Sequence, residues 1–420
     1  MSTHTQRHRH SRVRFLMLVG LAMATLHAPL TSAGQAPHKS PTPYSYRVLH
    51  SFAGGLHDGS SPIAPVIRDA HGNLYGTATE GGTKGWGVAY KLTTSGNETI
   101  LHNFYPSSTD GGEPSAGVIQ DAAGNLYSTT LYGGSCGYVG GCGIVFKIDT
   151  TGKETLLHSL IGYPNDGETT WAGLVRDANG NLYGTSPYGG AFGDGVVFKL
   201  APDGKETLLY QFTGGVDGSG PWGGLIRDNA GNLYGMTSGG GANLCAGSGC
   251  GVVYKLTAQG KEIVLHSFTG ADGQGPFGGV IRDAAGNLYG LTEYGGAFGN
   301  GVVFRLGTAG KETVLHSFAG GTDGVNPLGN LVLDGAGNLY GTTLNGGNSK
   351  ACNPRGCGTV FKVDKAGTKT VLHSFSATDG ASPWAGLIRD AAGNLYGTTS
   401  SGGASSLGVV FKLSPPAPQE

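Results

Sequence analysis

Three sets of side chains in this sequence could do chemistry, and each recurs at long, regular intervals. His50, His102, His158, His266, His316 and His373 form one set, with Tyr210 where a seventh would fall. Asp58, Asp110, Asp166, Asp217, Asp272, Asp323 and Asp379 form a second, each followed by Gly. Histidines in such number invite metal coordination or proton transfer, and aspartates invite calcium. The third set is six cysteines in close pairs, Cys136/Cys142, Cys245/Cys250 and Cys352/Cys357. Two thiols per loop cannot complete a tetrahedral metal shell, so these read as disulfides of an oxidising compartment. Each closes a loop so short that its contribution is about 2 kcal/mol.

Carboxylates that break the regular pattern are Glu80, Glu113, Glu168, Asp194 and Glu293. Glycoside hydrolysis needs two carboxyl groups at a defined separation. Glu113 and Glu168, in corresponding loops of successive repeats, are the candidate catalytic pair for it. The chain contains no Gly-x-Ser-x-Gly nucleophile elbow and no Gly-rich phosphate loop. Outside the leader, the linker and the repeated set, only His57 and His71 remain, which leaves no histidine cluster for catalysis. Of its 420 residues 13% are charged, with a formal net charge of −1. That balance excludes a nucleic-acid partner, which would require stripes of Lys and Arg to displace counterions.

The elements that position these groups are set by Asn73-Leu74-Tyr75-Gly76. Asn-Leu-Tyr recurs at Asn125, Asn181, Asn232, Asn287, Asn338 and Asn394, always directly after a Gly, at spacings of 52, 56, 51, 55, 51 and 56 residues. The cysteine pairs fall in the three long repeats. A period of about 50 residues predicts a repeat architecture. In the last copy, Leu387–Asp390 reads as a short strand, Ala391-Ala392-Gly393 as a turn and Asn394–Thr399 as the returning strand. Gly408–Leu413 follows as an apolar third strand. Internal copies add a Gly-Lys-Glu turn and a fourth strand, as in Thr313–Phe318. A four-stranded sheet apolar on both faces must be covered on both, as stacked blades are.

Counting settles the closure. The seventh repeat ends at Leu413 without a fourth strand, while Val48–Phe52 supplies one ahead of the first repeat. The expectation is an all-β, seven-bladed propeller of four-stranded antiparallel blades over residues 46–413. The N-terminal strand completes the last blade. An open solenoid has no use for this permutation.

The motifs Asp-Ala-Ala-Gly-Asn-Leu-Tyr-Gly, Gly-Val-Val-Phe-Lys-Leu and Val-Leu-His-Ser-Phe resemble the tandem-repeat GloVer ("choice-of-anchor") proteins over nearly the whole mature chain. The resemblance implies an exported bacterial protein with an interchangeable surface anchor, although Ser414–Glu420 shows no anchoring segment. The Gly-Asn-Leu-Tyr hairpin is also similar, at the level of fold, to NHL and gluconolactonase-like propellers.

Given that fold, residues present in every blade read as blade-building. The histidines lie on the outermost strand, too far apart to share a metal, and read as hydrogen-bonded structural residues. The Asp-Gly aspartates read as turn acceptors, with calcium binding as the alternative and no cofactor otherwise expected. Arg68, Arg176, Arg227, Arg282 and Arg389 read as inter-blade ion pairs. Function is sought where blades differ. The residue after the loop Pro varies as Ile63, Ser115, Trp171, Trp222, Phe277, Leu328 and Trp384, on the face that also carries Trp86, Tyr132, Tyr138, Tyr188, Phe192, Tyr294, Phe298 and the cysteines. Flat aromatics on one face suit stacking against sugar rings. The candidate ligand-binding set is therefore Trp171, Trp222, Phe277, Trp384, Trp86, Tyr132, Tyr188 and Tyr294.

Residues 1–36 have the order of a secretory signal peptide. Basic residues precede the apolar run Phe15–Ala28, which is shorter than the roughly 20 residues that span a bilayer, and small residues follow. Residues 37–45 read as a linker and 414–420 as a disordered tail. The expected protein is a secreted, non-enzymatic monomer that binds glycan or protein, with no membrane span in the mature chain. A carbohydrate-active or lactone-type hydrolase or lyase on the same face, and a structural cell-surface component, are the alternatives.

Overall fold

The computed structural model describes residues 44–137, 140–242, 245 and 247–417. The expected leader, nearly all of the linker, Tyr138 and the last three residues lie outside these. Seven four-stranded antiparallel sheets make up the described chain. Blade one runs Ile67–Arg68, Leu74–Ala78, Val88–Leu92 and Glu98–Asn103, and the next five repeat that order. The seventh has Ile388–Arg389, Leu395–Thr399 and Val409–Ser414, and Ser45–Ser51 from the N-terminus lies beside Val409–Ser414 as its outer strand. The pairing runs from Ser45 opposite Ser414 to Ser51 opposite Val409, closing the ring as the strand count requires. The only helix among the described residues is the 3-10 turn Gly321–Asp323.

Each Asn-Leu-Tyr forms a hairpin around the preceding Asp. In blade one, Asp69 Oδ1 accepts the amides of His71 and Asn73, and Oδ2 accepts Asn73 Nδ2 and the Tyr75 hydroxyl. Gly72 supplies the positive φ (88°) that the turn needs. The residue after Tyr is Gly for a separate reason. A Cβ at Gly76 would lie 2.7 Å from Cζ of the Tyr90 ring, which crosses strand two at that point. The tyrosines also join blades, although not as expected. Arg68 lies over the Tyr396 ring of the preceding blade at 5.8 Å, as do Arg176 over Tyr127, Arg227 over Tyr183, Arg282 over Tyr234 and Arg389 over Tyr340. These arginines stack on aromatic faces where ion pairs were expected, because the neighbouring Asp is already saturated by its own hairpin.

The core lies between blades. In six of the seven junctions the residue after the outer strand, such as Phe104, meets the third-strand ring of the next blade edge-on, with centroids 5.0 Å apart for Phe104–Phe146 and 5.3 Å for Phe375–Phe411, and Leu160 fills the place in the remaining one. Phe52, carried by the N-terminal strand, makes the same contact with Tyr90 at 5.2 Å and so packs the closure like any other junction. All five of these rings other than Tyr90 are fully buried phenylalanines, each contributing roughly 1.5–3 kcal/mol.

Candidate functional site

The histidine and aspartate rings are one structure. Every outer strand carries a bulge just before the histidine position, as between Ala89 and Tyr90 in the pairing of blade one, and the extra residue changes which face the following side chains take. His102 thereby reaches Asp110 at 3.2 Å, in the loop leading to the next blade. The pairs His50–Asp58, His158–Asp166, His266–Asp272, His316–Asp323 and His373–Asp379 repeat this at 3.0–3.3 Å, and Tyr210 donates to Asp217 at 3.1 Å. The same carboxylate also accepts a backbone amide, on its other oxygen at Asp58 (from Ala53) and Asp110 (from Tyr105), and on the oxygen shared with the histidine at Asp166 (from Ile161).

A third member comes from the first residue of the next blade's outer strand, and its role was not visible in sequence. Glu98, Glu154, Glu206, Glu262 and Glu312 each project beside the preceding Asp and keep a buried Oε1 without a hydrogen-bond partner. Burial, then the adjacent Asp charge, pushes the carboxyls of Glu154, Glu262 and Glu312 up to about 7. Two junctions depart from this. At Asp323 the place is taken by Lys369, 2.8 Å from Oδ1, with its ammonium 5.0 Å from the Phe318 ring centroid. At Asp379 it is taken by Tyr46 of the closing strand, stacked on His373 at 3.9 Å.

Among the described residues, His50/Asp58/Glu98 and His158/Asp166/Glu206 each bring three donor atoms within 4.8 Å of one another, and these are the places that could hold a cation. Each set includes an imidazole nitrogen, which suits a transition metal better than the oxygen-seeking calcium. The His158 imidazolium, raised to about 9 by Asp166 and Glu206 despite its burial, also balances the charge of its two carboxylates.

The opposite end of the blades is built on a second small ladder. Gly59–Ser60 pairs with Glu80–Gly81, Gly111–Gly112 with Tyr132–Gly133, and Gly167–Glu168 with Tyr188–Gly189. The other four blades keep a single bridge at the same place, Gln274 opposite Tyr294 among them. Glu80, Tyr132, Tyr188 and Tyr294 thus share one register position. The next residue of the incoming segment is left-handed in every blade: Ser61, Glu113, Thr169, Gly220, Gly275, Asn326 and Ser382, with φ between 52° and 63°. A non-glycine residue there costs on the order of 1 kcal/mol. Its amide donates to the carbonyl just before strand three of the preceding blade, as Glu113 does to Trp86 at 2.8 Å. In three blades that carbonyl belongs to Cys142, Cys250 or Cys357, the second cysteine of a disulfide whose Cα atoms lie 5.0–5.9 Å apart. All three disulfides therefore brace an inter-blade joint.

The aromatic residues fall into two groups and one isolated member. Trp222 lies 5.7 Å from Trp171, 5.4 Å from Tyr188 and 5.8 Å from Phe277, a continuous run over blades three to five. Trp171 is 38% and Tyr188 46% exposed, so the run faces solvent. Trp86 and Tyr132 form the second group at 6.0 Å. Trp384, 44% exposed, has no ring neighbour among the described residues. Burial raises the carboxyl of Glu293, the residue before Tyr294, to about 7.

The carboxylates are arranged differently from their spacing. Glu168 sits in the ladder opposite Tyr188, whereas Glu113 is at the left-handed position one residue later in its repeat. Burial, and then the charge of Glu80, raises the Glu113 carboxyl. Glu80 and Glu113 line one cleft of about 560 Å³ with Trp86, Leu56 and Leu407. That cleft lies between the first blade and its neighbours, and Trp171, Trp222 and Trp384 take no part in it.

This fold and its loop-face ladder define a disulfide-bearing repeat propeller. The chain belongs to the Gloeobacter/Verrucomicrobia repeat family, whose pattern matches residues 38–248 and 245–419. No curated protein matches it. Among solved structures it is similar to the extracellular domain of a putative one-component system from B. thetaiotaomicron, at 12% identity and a TM-score of 0.55 over 89% of this chain. The chain spans 40% of that structure's length. A second such domain, of a putative hybrid two-component system of the same organism, gives 12% identity and 0.54, over 87% of this chain and 40% of the other. A gluconolactonase from Xanthomonas campestris is matched at 14% identity and 0.43, over 88% of this chain and all of the other. These likenesses concern the fold. No helix among the described residues is long and apolar enough to cross a membrane.

Proposed function

We propose that the protein is a secreted, non-enzymatic monomeric propeller that binds glycan through its disulfide-bearing loop face. The observation that carries this is the solvent-facing run of Tyr188, Trp171, Trp222 and Phe277 over three successive blades. Stacked aromatics present a flat, rigid surface at low entropic cost, which suits the apolar faces of successive sugar rings. The three disulfides and the signal-like leader support export. The reading requires no cofactor. Binding of the full mature chain to a glycan array and to isolated cell-envelope polysaccharides tests it. Wild type should bind, and the variant combining Trp171→Ala, Trp222→Ala and Trp384→Ala should not, while keeping its melting temperature. Wild-type binding to nothing on either panel refutes the reading.

The hydrolytic alternative would rest on Glu113 with Glu80 in the cleft beside Trp86, since these two share a space. Turnover on the same polysaccharide panel, lost in Glu113→Gln, would establish it in place of simple binding.

A further inference from the structure

The cleft beside the first blade differs in chemistry from the aromatic run. Its polar lining is dominated by two carboxylates, Glu80 and Glu113, and its aromatic wall is Trp86, held edge-on to Tyr132. Leu56 and Leu407 supply apolar flanks. Lys84 is the one cation of the lining, and its ammonium lies over the ring of Tyr105, 5.7 Å from the centroid, which is outside the lining. Neither carboxylate therefore has a basic partner within the cleft. Glu113 is further fixed by its left-handed backbone (φ 52°) and by the hydrogen bond its backbone N–H donates to the Trp86 carbonyl, so carboxylate and indole are carried by one joint. Two carboxylates next to an indole face satisfy an alkylammonium group in both of its preferences, charge-assisted hydrogen bonding and cation–π attraction.

We infer that this cleft is a subsite for a primary ammonium group on a sugar, so that the loop face selects glycans containing free amino sugars over their N-acetylated or neutral counterparts. The inference rests on the loop-face reading above and adds the ligand class to it. An N-acetyl group has no charge to offer the carboxylates and would leave two acids facing each other without compensation.

The test uses the full mature chain with 15N-labelled tryptophan, whose four indole N–H signals are assigned by single Trp→Phe variants. Glucosamine is titrated in parallel with N-acetylglucosamine. Glucosamine should move the Trp86 signal and N-acetylglucosamine should not, and Glu80→Gln together with Glu113→Gln should weaken the glucosamine response about ten-fold or more. Glu80→Gln alone, at an exposed ladder position, should weaken it measurably and serves if the double variant fails to fold. Equal shifts with both sugars, no shift with either, or an unweakened response in the Glu variants overturns the inference. Trp171→Ala with Trp222→Ala should leave the glucosamine response intact. Failure of the aromatic-run reading, seen as unchanged polysaccharide binding in that variant, is thus separable from failure of the ammonium subsite.

Discussion

The junction glutamates set a pH dependence that can be worked through. Glu154, Glu262 and Glu312 are held near 7 in the fold by burial and by Asp110, Asp217 and Asp272 respectively. An acid whose folded pKa is raised binds its proton more tightly when folded, so stability is full below the unfolded value and is lost as pH rises through about 7. The ceiling on that loss is ~3 kcal/mol per site from the shift alone. Each side chain is partly exposed, and screening by water reduces the expected figure to about 1 kcal/mol per site. Gln keeps the shape and removes the charge. The triple variant Glu154→Gln, Glu262→Gln, Glu312→Gln should therefore lie within about 1 kcal/mol of wild type at pH 5 and exceed it at pH 9 by roughly 3 kcal/mol, or about 3–5 °C in melting temperature. His158, raised to about 9, also loses its stabilising contribution as pH rises, but equally in both proteins. The lowered carboxyls of Asp58, Asp166, Asp323 and Asp379 act only in acid, below this window. Calorimetric melts of both proteins from pH 5 to 9 are the assay. Parallel curves, with no gain at pH 9, would refute the carboxylate–carboxylate account of the junctions.

Three further outcomes follow from the same geometry. Lys369→Ala leaves Asp323 beside the ring pair Phe318 and Phe361 without its cation and should cost about 3 kcal/mol in chemical denaturation, whereas a change under 1 kcal/mol would show the pair to be dispensable. Reduction of the three disulfides should lower stability by about 2 kcal/mol per bridge without unfolding the ring, because each brace spans five or six residues of a joint that already has its backbone bond; collapse of the near-ultraviolet signal on reduction would contradict this. Because His and Glu already attend the Asp ring, EDTA or millimolar calcium should move the melting temperature by less than about 1 °C, and a rise of several degrees with calcium would assign the ring to that ion.

Sequence carried the architecture because each blade repeats its own turn chemistry. Asn73 and Tyr75 are tied to Asp69 within six residues, so their recurrence counts hairpins directly, and Val48–Phe52 announced the closure by being one outer strand too early. What stayed hidden depended on contacts between repeats. His102 and Asp110 read as members of two separate rings, and Glu154 only as part of a turn, because the bulge that turns the histidine toward the next blade leaves no signature beyond one extra residue. The arginines were assigned to acids, although the nearest acid was already committed to its hairpin and the free partner was a neighbouring blade's Tyr ring. Glu113 and Glu168 looked equivalent, yet they differ by one residue in register, and a one-residue shift changes the face and the backbone conformation. Grouping of the aromatics was legible only as blade order: Trp171, Trp222 and Phe277 are consecutive, while Leu328 separates Trp384 from them.

The central claim is that the consecutive aromatic run, and not the isolated Trp384, stacks on the sugar rings of the ligand. Calorimetric titration of the best array oligosaccharide into wild type, Trp171→Ala/Trp222→Ala and Trp384→Ala separates the two. The run predicts that the double variant loses about 100-fold in affinity, at ~1.4 kcal/mol per stacked ring, while Trp384→Ala stays within about three-fold of wild type. Equal losses in both variants, or a larger loss in Trp384→Ala, would contradict it.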